Sequence, residues 1–296
     1  MALSTRITEM LGIEKPIIQA AMGWIARAQL SSAVSNAGGM GIIETSSGEL
    51  DAVREEILKM RQLTDKPFGV NVAQAFVRDP DIIRFVIDQG VKFVTTSAGD
   101  PMKYTAMLKD AGLTVFHVVP NLAGALRAVE AGVDGLIVEG GEGGGFKNPK
   151  DVSTMVLVPQ VVEAVDVPVV AAGGIMDGKT MAAAFALGAE GVLMGTRILS
   201  SAESPVHENW KQAILDADAT DTVFLNRKGP GPALRALRTA RSTRIAAEGS
   251  PNIFGEFADT RKVYFEGDLE AGIALTGQVA GRIHEVKPVA QILDET

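Results

Sequence analysis

The sequence predicts an α/β protein, a TIM (β/α)8 barrel carrying a small, mostly helical cap insertion. Three observations lead there. Eight short β-branched or apolar runs can be counted along the first two thirds of the chain, and stretches whose apolar residues recur at three and four separate them. Two of the runs, Val169 to Gly174 and Gly191 to Thr196, are almost continuously apolar, as expected of parallel strands buried on both faces. At 296 residues the chain is long enough for one barrel of about 250 residues and a modest insertion. Eight strand–helix units favour closure into a barrel, with a doubly wound open sheet as the alternative.

The candidate strands are 16–22, 40–44, 68–73, 93–98, 114–119, 135–140, 167–174 and 191–196. Between them, segments 28–38, 50–63, 79–90 and 101–112 have helical periodicity and often end in glycine, which stops a helix by taking a left-handed conformation. The pattern changes near Ser204. Residues 205–266 hold a helical stretch at 207–215, a Gly/Pro-interrupted stretch at 226–241 and an irregular run with scattered aromatics, which together read as the cap. From Gly267 the chain returns to a loop and a closing helix. The expected division is therefore a barrel of 1–204 and 267–296 and a cap of 205–266.

Composition removes several function classes. With no cysteine there is no disulfide framework, thiolate metal site or cysteine nucleophile. The net charge of −8 with no basic cluster argues against nucleic acid as a partner. The N-terminus lacks the apolar core of a signal peptide, and no run approaches the roughly 18 apolar residues of a membrane span. A soluble, cytoplasmic protein is expected, with no membrane partner and no metal.

A barrel places its chemistry at the C-terminal ends of its strands. The seventh run ends in Ala171-Ala172-Gly173-Gly174 and the eighth in Met194-Gly195-Thr196. These two loops are the usual phosphate site of the fold, since glycine lets backbone N–H groups approach the oxygens. FMN or another phosphorylated metabolite fits such a cup equally well.

Several segments narrow the choice. Residues 17–24 (IIQAAMGW), 37–43 (AGGMGII), 65–71 (DKPFGVN), 95–99 (TTSAG), 139–145, the AAGGI and MGTR segments and 277–281 (GQVAG) follow one another in the order seen in a known family. The chain thereby resembles the nitronate monooxygenases, the 2-nitropropane dioxygenase-like proteins, and the FMN-dependent enoyl-acyl-carrier-protein reductases. The resemblance implies an FMN-dependent oxidoreductase in which Ala21, Met22 and Gly23 line the flavin and Asn71 hydrogen-bonds to its ring system. It implies that Gly144, Gly145, Gly173, Gly174, Gly195 and Thr196 contact the ribityl chain or phosphate, with Glu139 and Ala172 in the same cofactor-binding set. A homodimer is also implied.

The loop 139–147 departs from the family, whose members usually carry a histidine directly after the glycines. Here the position holds Phe146, which cannot transfer a proton but can stack on, or wall off, flavin or substrate. Glu142 and Lys147 flank it and are the local proton-transfer candidates. His117, within the fifth strand, reads as a satisfied barrel-lining residue, and His207 and His284 as exposed. The resemblance leaves four activities open: NAD(P)H-dependent reduction of an unsaturated acyl thioester, which the glycine loop and the cap segment 235–239 favour, oxidation of a nitronate, reduction of a quinone, and flavin binding without turnover. Arg235 and Arg238 in the cap are the candidate contacts for CoA or carrier phosphates.

Overall fold

The computed structural model describes residues 3–296. The strands are β1 (Ile17–Gln19), β2 (Gly41–Ile43), β3 (Phe68–Ala73), β4 (Phe93–Ser97), β5 (Thr114–Val119), β6 (Gly135–Glu139), β7 (Gly145–Lys147), β8 (Val169–Ala172), β9 (Gly191–Met194), β10 (Thr222–Leu225) and β11 (Ala233–Leu237). Eight of them form one all-parallel sheet in the order β1-β9-β8-β6-β5-β4-β3-β2. A parallel bridge between Ile18 and Met40 joins its two edges, so the sheet closes into a barrel. Each of the eight expected runs contains a barrel strand, and 68–73 and 114–119 match to the residue.

Packing explains the closure. Ile18, Ile42, Ile137 and Val170 turn into the barrel, where Phe93 and Phe116 meet edge to face at 5.1 Å. Those two rings need room. A Cβ on Gly69 would lie 2.6 Å from Phe93, and one on Gly135 would lie 2.6 Å from Phe116, so small and large residues alternate across the interior layer. The helix Arg6–Leu11, started by a Thr5–Thr8 capping box, inserts Ile7 and Leu11 into the same cluster and plugs the N-terminal end of the barrel. The opposite strand residues, such as Ile17, Ile43 and Val94, face the helices in a second and larger cluster.

The insertion holds two strands besides the expected helices. Only Glu208–Leu215 and Ala240–Glu248 are α-helical, while β10 and β11 form an antiparallel pair, and β11 also pairs with β7 from the glycine loop. In that register Leu234 lies opposite Phe146 and Arg235 opposite Gly145. Helix still outweighs strand in the insertion, as expected; the unexpected part is the three-stranded sheet that β10 and β11 build with β7. The cause is nonlocal: the partner of β11 lies some ninety residues upstream, and no local periodicity reports it. The closing segment forms a 3₁₀ turn, Gln278–Arg282, and a final helix, Val289–Glu295.

Candidate active site

A cavity of about 910 Å³ opens at the C-terminal ends of the barrel strands, roofed by the insertion and by residues 275–279. That volume suits a mononucleotide cofactor together with a substrate. Of the residues expected in the site, Ala21, Met22, Gly23, Asn71, Glu139, Glu142, Gly144, Gly145, Phe146, Lys147, Gly173, Gly174, Gly195 and Thr196 all line it. Ala172 does not: its side chain is buried in the barrel, and its carbonyl accepts from Gly140 N–H and Thr154 Oγ1.

The glycines separate into two kinds. Gly144 and Gly173 are packed against backbone, since a Cβ on the first would lie 2.7 Å from Gly277 N and one on the second 2.9 Å from Gly140 O. Gly145, Gly174 and Gly195 instead face open space. A Cβ would meet nothing within 4 Å at Gly145, only Glu142 carbons from 3.7 Å at Gly174, and only Ala20 at 3.5 Å at Gly195. These three backbones, on β7 and after β8 and β9, form a cradle that side chains would fill. Thr196 braces it by accepting from Gly277 N–H at 2.9 Å, which ties the C-terminal segment to the cup.

Deeper in the mouth the lining is polar but sparse. Asn71 donates to Thr95 Oγ1 at 2.9 Å while its edge borders the cavity. Gln19 is fully buried; its Nε2 donates to Ser31 and Ile42, but its Oε1 has no hydrogen-bond partner among the described residues. A buried acceptor left alone costs roughly 1–3 kcal/mol, so a cavity-lining orphan marks where a ligand donor belongs. The cradle and this orphan both fit a flavin mononucleotide.

His117 also borders the cavity, with Nδ1 2.7 Å from Thr96 Oγ1. Burial pushes its pKa down to about 4, against the Gly99 backbone and the Asp100 charge, which act the other way. It is a neutral, satisfied residue near pH 7. Asp100 is held below the usual carboxylate range by a fork-like pair with Arg127, at 2.9 and 2.6 Å, on the rim.

The two proton-transfer candidates of the glycine loop are both engaged. Lys147, buried, forms an ion pair with Glu139. The Glu142 carboxylate accepts from Thr154 N–H and, at 2.9 Å, from Thr154 Oγ1, capping the helix Thr154–Val162. Phe146 packs between Phe76, at 4.9 Å between centroids, and Phe257, at 5.8 Å. With three aromatic neighbours, counting Phe254 at 6.3 Å, it belongs to an aromatic wall.

The cap arginines stand elsewhere. Arg235 is buried, donating from Nε to Gly141 O at 2.7 Å and from Nη1 to Thr222 Oγ1 at 3.2 Å, so it braces the glycine loop. Arg238 donates to Thr220 O on the outer surface. Neither borders the cavity, because both sit on β11 or just after it, and the pairing of that strand with β7 turns them away. Sequence reasoning missed Phe76, Phe254, Trp210, Tyr264 and the Asp100–Arg127 pair. The scattered aromatics of the insertion were the available signal, but their convergence was not.

The nitronate monooxygenase family model matches residues 4–83 and 73–296. The chain is 40% identical over 259 residues to the (3aS,4S,5R,7aS)-5-hydroxy-7a-methyl-1-oxo-octahydro-1H-indene-4-carboxyl-CoA dehydrogenase of Rhodococcus jostii, covering 88% of this chain and 72% of that protein. Among solved structures, FabK from Thermotoga maritima superposes with a TM-score of 0.92 at 43% identity, over 99% of this chain and 94% of that one. The nitroalkane oxidase of Streptomyces ansochromogenes superposes with a TM-score of 0.84 at 27% identity, over 98% and 96%.

Proposed function

The chain belongs to the nitronate monooxygenase family and is an oxidoreductase, and from that premise we propose that it reduces an unsaturated acyl thioester with FMN as bound cofactor and NAD(P)H as electron donor. The observation that carries the proposal is the cradle of Gly145, Gly174 and Gly195, open onto one large cavity at the strand ends. FMN would be held by these backbones at its phosphate and ribityl end. Asn71, Gln19 and the segment Ala21 to Gly23 would meet its ring system. When bound, FMN supplies two-electron transfer between donor and substrate.

The protein contributes position and exclusion of water. The insertion roofs the cavity, Thr196 locks the C-terminal segment over the cup, and the phenylalanine wall keeps one side apolar. The R. jostii relative supports the thioester, since a carboxyl-CoA compound is in its name.

Anaerobic reduction of the purified flavoprotein by NADH or NADPH followed by reoxidation with crotonyl-CoA or a quinone, set beside anaerobic reduction of the oxidised flavin by a nitronate, tests the reading. Crotonyl-CoA should reoxidise the flavin. Reoxidation by the quinone alone, or reduction of the oxidised flavin by a nitronate while crotonyl-CoA leaves the reduced flavin unchanged, would overturn it. Oxidation of a nitronate is the second reading, favoured by the family model. In that case the preformed anion would be the substrate, because Glu139, Lys147, Glu142 and Asp100 are paired and burial, which pushes the His117 pKa down to about 4, leaves that imidazole a weak base.

A further inference from the structure

One side of the cavity is walled by phenylalanines from three segments far apart in the chain. Phe76 comes from the 3₁₀ turn after β3, Phe146 from β7 and Phe254 from the insertion, and Phe257 backs Phe146 from behind. The three lining rings are not parallel. Phe76 is inclined to Phe146 by 55° and to Phe254 by 78°, while Phe146 and Phe254 are inclined by 33°. A parallel pair of rings would make a slot for a flat guest; mutually tilted faces make a concave apolar surface.

Two further observations say what kind of group it takes. Phe254 is 50% exposed although it belongs to this cluster, so a large ring is left facing the opening. The Asp100–Arg127 pair and Asn121 line the same cavity, so its lining combines this apolar wall with a charged and polar group. We propose that the phenylalanine wall recognises the hydrocarbon of the substrate and selects acyl groups carrying a puckered ring over short linear ones. This rests on the acyl-thioester reading and names its substrate class. A six-membered alicyclic ring presents C–H groups in several directions, which matches tilted aromatic faces better than a straight chain or a flat arene does.

Equilibrium binding of non-reactive saturated ligands to the flavin-loaded protein tests this, using CoA, butyryl-CoA, heptanoyl-CoA and cyclohexanecarbonyl-CoA. Each buried methylene contributes roughly four-fold in affinity, so three more carbons should give about fifty-fold for cyclohexanecarbonyl-CoA over butyryl-CoA. Heptanoyl-CoA, with the same carbon count, should bind more weakly than the ring. Phe254→Ala, at an exposed position that does not endanger the fold, should reduce the ring preference to below about five-fold without changing the affinity for CoA itself. Phe76→Ala should act in the same direction. Equal binding of the three thioesters, or a ring preference that survives both substitutions, overturns the proposal. Methyl cyclohexanecarboxylate and methyl butyrate separate it from the reading beneath it. If no thioester binds but the ring ester still binds tighter in a Phe254-dependent way, the wall stands and the thioester reading falls.

Discussion

Replacing Gly195 by aspartate probes the proposed phosphate cup with little strain on the fold. Its φ of −104° lies outside the left-handed region, and a Cβ there would meet only Ala20 at 3.5 Å, an ordinary contact. Gly174, with φ +79°, would be strained by any side chain and is a poorer probe. An aspartate at 195 projects a carboxylate into the cavity. Two unit charges about 4 Å apart at an effective dielectric of about 20 repel by about 4 kcal/mol, or roughly a thousand-fold in the Kd of FMN. Gly195→Ala, which adds volume without charge, should weaken FMN far less. The assay is titration of apoprotein with FMN by flavin fluorescence, alongside thermal unfolding of each apoprotein. A thousand-fold rise in Kd at unchanged apoprotein Tm is expected. A Gly195→Asp protein that purifies with a full complement of flavin would remove the phosphate from this cup.

Acid release should yield FMN and not FAD, since the chain carries a glycine cup and no adenine-binding fingerprint; FAD in the supernatant would refute this. Phe146→His should raise turnover of a neutral nitroalkane, by up to about 10²-fold if the rest of the site is competent, while flavin reduction by NAD(P)H changes little. Wild-type turnover of the neutral form as fast as the nitronate would show that another base is present. Because the folded protein holds His117 near pKa 4 and the unfolded chain near 6.5, the unfolded chain takes up the proton first as pH falls. Stability should therefore drop by about 3 kcal/mol between pH 6.5 and 4 on this account, and His117→Gln should flatten that slope in urea denaturation at pH 7 and 4.5. Arg235→Ala should cost about 2 kcal/mol of stability by freeing Gly141 O and Thr222 Oγ1, with a small change in KM for an acyl-CoA; a large KM rise at wild-type stability would return Arg235 to the substrate.

The sequence alone determined the barrel and the glycines at the ends of its seventh and eighth strands. Those features are written locally: a parallel strand buried on both faces must be apolar throughout, as Val169 to Ala172 are, and a backbone laid bare to a cavity must lack a side chain, as at Gly174 and Gly195. The tertiary structure decided which glycines are cradle and which are packing, because that depends on what stands opposite, such as Gly277 against Gly144. It also removed Arg235 and Arg238 from the cavity and gathered Phe76, Phe146 and Phe254 into one wall. For Arg235 and Phe146 the physical reason is a single strand pairing. The pairing of β11 with β7 joins segments some ninety residues apart, and the orientation of every side chain on them follows from a register that only the folded chain establishes.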